Sequence, residues 1–212
     1  MEERNEQEVK KVSGARKIVR NIVVGVLIAF AVLVAVRMPH SITKQKTKEQ
    51  VAKIHATKLT LDDVMGKNLP PDPGAEADTT IAGVDANNNS IRDDVELAIF
   101  KEYPDSAKTR AVLLQYALAL QMEMTLPILN KETATASVED NETRAFKCIW
   151  SISSRDDMDK FTKETDTNEN FVKVRQINTE SRKKYTHDFY EYVGSYMMSR
   201  GDCDIDISTL SN

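Results

Sequence analysis

The chain is poor in the side chains that perform chemistry. Its 212 residues include three histidines, two cysteines and one tryptophan. His40, His55 and His187 stand far apart in sequence, each reading as a solvated surface residue. No HExxH pair, Ser-His-Asp order, GxSxG elbow or phosphate-cradling glycine loop occurs. Catalysis has no candidate residues, and an enzyme is not expected. The two cysteines, Cys148 and Cys203, are not spaced as CxxC, which argues against redox catalysis. Net charge is close to balance at −4, and the basic residues are scattered without aromatic interleaving, so nucleic acid is not an expected partner. Sustained period-two alternation is also missing, which argues against sheet. The expected body is all-α.

What is present begins with one long apolar block, Ile22 to Val36, extended by Ile18 and Val19 past Arg20 and Asn21. Crossing a bilayer takes roughly 17–25 residues, with flanking arginines snorkelling to the interface. Residues 18–37 therefore read as a single transmembrane anchor. A cleaved signal peptide is the alternative, but the block runs into Val36-Arg37-Met38-Pro39 without a small-x-small site. Basic residues before the span (Lys10, Lys11, Arg16, Lys17, Arg20) slightly outweigh those after it (Arg37, Lys44, Lys46, Lys48), favouring a cytoplasmic tail at 1–17. Residues 38–59 read as a lysine-rich stalk helix, with Val51 and Ile54 on one face, and 60–84 as an irregular linker. Within it, Thr60 to Gly66 looks like a capped single turn.

The linker delivers the chain to Asp85-Ala86-Asn87-Asn88-Asn89-Ser90-Ile91-Arg92-Asp93-Asp94-Val95-Glu96. Residues 85–96 place side-chain oxygens at loop positions 1, 3, 5 and 9 and a glutamate at 12, the spacing with which an EF-hand loop wraps calcium. The ligands would be Asp85, Asn87, Asn89, the carbonyl of Ile91, Asp93 and Glu96. Hard oxygen donors without His or Cys suit calcium better than zinc or copper. Three departures stand out. Ser90 occupies position 6, where a glycine normally supplies positive φ, at a cost on the order of 1 kcal/mol. Positions 3 and 5 are neutral Asn, and position 8, usually apolar, is Arg92. A bare turn is the competing reading, since Asn89 or Ser90 can cap a helix starting near Ile91. The glutamate at position 12 favours the metal, because a turn has no use for it.

The run Gly83-Val84-Asp85 through Arg92-Asp93-Asp94-Val95-Glu96 resembles a segment of uncharacterised bacterial membrane-anchored envelope proteins, itself similar to the calcium loops of dockerins and thrombospondin type 3 repeats. Matching residues extend from Leu69-Pro70-Pro71-Asp72-Pro73-Gly74 to Tyr103-Pro104-Asp105-Ser106, with Asn178-Thr179-Glu180-Ser181-Arg182 as a later echo. The resemblance implies an exported calcium-loop protein with a helical body and no known activity.

Beyond the loop the spacing predicts a small helical bundle over 91–212. Its helices are Ile91 to Tyr103, ended by Pro104; Ala107 to Thr125, apolar almost all round; one starting at Ser137-Val138-Glu139-Asp140; and one from about Thr179 to Arg200, stopped by Gly201. Tyr185, Phe189, Tyr192, Val193 and Tyr196 would face the core. Residues 153–170 read as a polar, weakly patterned stretch, and Asp202, Asp204 and Asp206 as a solvated tail. In an oxidising compartment Cys148 and Cys203 would form a disulfide worth roughly 4 kcal/mol by loop closure. The expectation is a membrane-anchored binding or scaffolding protein of the bacterial inner membrane. Its C-terminal domain would be periplasmic, with one structural calcium and an unnamed protein partner. The alternatives are a subunit of an envelope secretion or surface-assembly machine and a calcium-stabilised hydrolase.

Overall fold

The structure, a computed structural model, describes residues 2–127, 130–198, 201 and 203–212, and side chains from residue 16 onward except at 18, 39 and 40. The readings placed on the side chains of Lys10, Lys11, Ile18 and His40, and on Arg200 and Asp202, lie outside the described residues. All regular structure among the described residues is helical. The chain divides into two compact units, Met1–Lys46 and Thr47–Asn212.

The first unit is helix throughout. It belongs to α1 (Glu2–Ala56), which includes the one stretch, among the described residues, long and apolar enough to cross a membrane. From Val19 to Val36 its large side chains other than Val34 are exposed, as a bilayer-facing surface would be. The segments expected as separate anchor and stalk form one continuous helix.

The second unit is built around α4 (Ala107–Thr125), whose residues are buried almost without interruption from Arg110 to Met124. A helix apolar on every side must be wrapped by others. Here the wrapping is done by α2 (Leu61–Val64), α3 (Asp93–Glu102), α5 (Lys131–Ser137), α6 (Thr143–Ser151), α7 (Met158–Gln176) and α8 (Glu180–Tyr192). The end of α1 contributes Ile54 to the same core. Ser106 caps α4 by accepting from the N–H of Thr109 at 3.1 Å, and Thr60 and Asp63 form a reciprocal capping box on α2.

Three elements differ from expectation. The helix expected to start at Ser137 begins earlier, at Lys131, and passes through a π turn, Val138–Glu142, before resuming as α6. Residues 153–170, read as polar and weakly patterned, contain most of α7. Its buried residues, Thr165, Val172 and Gln176, keep helical spacing, but two of the three are polar, so a hydrophobic pattern passes over it. The last helix stops at Tyr192, not near Arg200. Val193 turns extended, and the Gly194 N–H donates to Thr135 Oγ1 at 2.7 Å. A Cβ on Gly194 would press on Lys131, so this glycine, not Gly201, marks the break. Tyr192 and Tyr196, expected in the core, are exposed, while Phe189 is buried.

The C-terminal tail is fastened. Cys148 and Cys203 form a disulfide. Asp204, expected in solvent, is buried against Arg144 at 3.2 Å and accepts the Leu59 N–H at 2.9 Å.

Candidate metal centre

The loop before α3 is shaped by its own short polar side chains. Gly83, at φ 70°, turns the chain into it, and the Asp93 N–H donates back to Val84 O at 3.0 Å. Inside, the Asp85 carboxylate accepts the N–H groups of Asn89 (3.1 Å) and Ser90 (3.0 Å), and Asn89 Oδ1 accepts that of Ile91 at 2.9 Å. These side-chain-to-backbone bonds replace a helical ladder with a tight coil. Ser90 takes φ 68°, the left-handed conformation normally assigned to glycine at position 6. Asn88 is also left-handed, which Asn tolerates better than most residues.

Side chains of the expected ligands also meet across the loop. Asn87 Nδ2 donates to Glu96 Oε2 at 3.1 Å across the loop, and also to Asn68 O at 2.9 Å. The Asp93 carboxylate is turned to the Ala86 N–H, both oxygens at 3.1 Å. Ile91 buries its side chain completely, and the N–H groups of Val95 and Glu96 both go to Arg92 O rather than to the Ile91 carbonyl. Among the described residues, no three His, Cys, Asp or Glu side chains stand close enough together to hold a metal ion as they are.

The electrostatics are one-sided. Burial pushes the Glu96 carboxyl up to about 7; the amides of Asn87 and Asn89 pull against this, and Asp63 and Asp93 add to it. Burial likewise raises Asp85 against the pull of its backbone donors, with Asp63 contributing. Asp93 is raised by burial, restrained by the Ala86 N–H, and pushed further by Asp85 and Asp94. Asp63, from α2, acts on the loop through its charge while its carboxylate is held by Thr60, and nothing in the spacing of the loop announces it. None of the four forms an ion pair with Lys, Arg or His among the described residues. The donors of the loop are hard oxygens, the kind that suit a divalent cation such as calcium better than a softer metal. The helix dipole at the start of α3 favours Asp93, Asp94 and Glu96 there but supplies only part of the compensation.

The cation nearest in sequence, Arg92, is aimed elsewhere. Its guanidinium is fully buried, forks onto Asp94 (2.5 and 2.8 Å) and donates to Gln176 O (3.1 Å) and Arg175 O (2.6 Å). Position 8 therefore caps the C-terminal carbonyls of α7 instead of entering an apolar core. A Cβ at Gly83 would collide with this side chain, which is why the turn before the loop needs glycine twice over. Gln176 Nε2 in turn donates to Gln121 Oε1 at 2.6 Å, and Gln121 Nε2 to Ala82 O at 2.7 Å, tying linker, α4 and α7 together. A second fully buried guanidinium, Arg182 of α8, donates to Ala77 O (2.5 Å), Thr80 O (3.0 Å) and Ile81 O (3.0 Å) and pairs with Asp78. The loop and its linker are thus anchored on two arginines that hydrophobic patterning does not flag.

No family model matches the chain, and neither a curated protein nor a solved structure matches it, so the site is read from its own geometry.

Proposed function

We propose that this is a membrane-anchored binding or scaffolding protein whose loop 85–96 takes up one structural calcium ion. The observation that carries the reading is the coiled geometry of the loop itself: Ser90 turns left-handed, the Asp85 carboxylate folds onto the amides of Asn89 and Ser90, and Asn87 meets Glu96. Asp85, Asn87, Asn89, the Ile91 carbonyl, Asp93 and Glu96 would hold the ion. Its contribution would be charge neutralisation at the junction of linker and α3. With few charged ligands the affinity falls on the order of 10⁻⁴–10⁻³ M, the range of extracellular modules. Such a site would suit the envelope proteins with dockerin-like loops that its sequence resembles.

The membrane reading rests on the apolar stretch of α1, and the outward location of the second unit on the Cys148–Cys203 bridge, since disulfides persist in oxidising compartments. We place the anchor in a bacterial inner membrane with the helical unit in the periplasm, facing a protein partner. Thermal melting of the full chain in detergent tests the metal claim. Calcium at about ten times the dissociation constant should add about 1.4 kcal/mol, or about 3–6 °C. An unchanged melting temperature in the wild type, or the same rise in Glu96→Gln, would remove the calcium site.

A further inference from the structure

Away from the loop, two carboxyls lie inside the helical unit on different elements. Glu123 projects from α4 and Glu142 from the π turn, and both are more than nine-tenths buried. The π turn, a local widening that often marks working parts of helices, belongs to the stretch that turns Glu142 inward. The hydroxyl of Tyr190 on α8 donates to Glu142 Oε2 at 2.8 Å and lies 3.5 Å from Glu123 Oε2. Tyr190 as a whole is 39% exposed, so it reaches from solvent to the pair. Among the described residues neither glutamate forms an ion pair, and neither Glu123 Oε1 nor the fully buried Tyr116 hydroxyl has a hydrogen-bond partner.

We propose that Glu123 and Glu142 form a proton-binding latch, which fastens the C-terminal half of α8 to the unit through Tyr190 and lets go when the proton is lost. Two adjacent buried carboxylates cannot both stay charged without a counter-ion. The groups facing the pair are Tyr116 from α4, Glu169 and Lys173 from α7, and Tyr185 and Tyr190 from α8. Of these only Lys173 is a cation. Its pull on both acids is weaker than the push of burial, so each carboxyl is held above the usual carboxylate range. The closed latch therefore binds its proton more tightly than the open one. Attachment is complete in acid and weakens as pH rises through the closed-state value. The proton leaves to solvent, and the two anions repel.

Hydrogen exchange on the full, disulfide-bonded chain in detergent, with calcium held constant, reads this directly. Corrected for intrinsic exchange rates, the opening of amides 187–192 should grow about tenfold per pH unit for each proton released once pH exceeds the ordinary glutamate value, and level off above the closed-state value. Amides near Arg182, which holds the other end of α8 to the linker, should change much less. Glu123→Gln keeps the shape without the charge and should flatten the slope by about one proton; Glu142→Gln serves as the second variant if the first fails to fold. Equal slopes in wild type and both variants would overturn the latch. So would stabilisation at alkaline pH by divalent cations in the wild type but not in Glu123→Gln, which would put a metal between the carboxyls.

Discussion

Replacing Arg92 with methionine removes a buried guanidinium and leaves its apolar stem nearly intact. The side chain makes four hydrogen bonds, two to Asp94 and one each to the carbonyls of Gln176 and Arg175. Asp94 is partly solvated, so its share is modest. The two carbonyl bonds are charge-assisted and close the end of α7, and each is worth about 1.5–3 kcal/mol. Removing one side of such a buried arrangement costs about 3–5 kcal/mol in total. For a unit of this length that corresponds to a melting temperature lower by about 6–20 °C. Circular dichroism melts of wild type, Arg92→Met and Arg92→Lys give the answer. Lysine keeps the charge but cannot fork, and should fall between the other two. A methionine variant that melts within about 1 °C of wild type would refute the claim that position 8 caps α7.

Other outcomes follow from the same contacts. Glu96 is raised to about 7 in the ion-free loop, so its contribution to stability is whole below the ordinary glutamate value and lost as pH rises through about 7. Calcium needs the anion, so its apparent dissociation constant should drop about tenfold per pH unit up to about 7 and then level off, as calorimetry at several pH values would report. Ser90→Gly relieves a left-handed serine and should raise stability by about 1 kcal/mol in denaturant melts; a loss would mean that the φ of 68° is not strained. Reduction of the Cys148–Cys203 bridge, which spans 55 residues, should lower stability by about 4 kcal/mol, measured by urea unfolding with and without reductant.

The parts of the fold that the sequence announces are those written in hydrophobicity. The apolar stretch of α1 and the all-round burial of α4 follow from long runs of one residue class, and the ends of α4 from Ser106 and the composition around it. The disulfide follows from there being only two cysteines to join. What was illegible is held by polar groups acting at a distance. Helix α7 packs through Thr165 and Gln176 as much as through Val172, and Arg182 reaches the linker from a hundred residues away. At the candidate centre, spacing names Asn87 and Glu96, which meet, and Asp93, which answers a backbone amide, but not Asp63, whose charge reaches the loop from another helix. Arg92 looked like a flaw in a calcium loop and is a cap for a helix that the sequence did not display.

Isothermal calorimetry of calcium into the full chain in detergent tests the central claim most directly. The account predicts a single site with a dissociation constant on the order of 10⁻⁴–10⁻³ M, abolished in Glu96→Gln and Asp85→Asn. Absence of binding heat in the wild type, or binding that survives both substitutions, would contradict it.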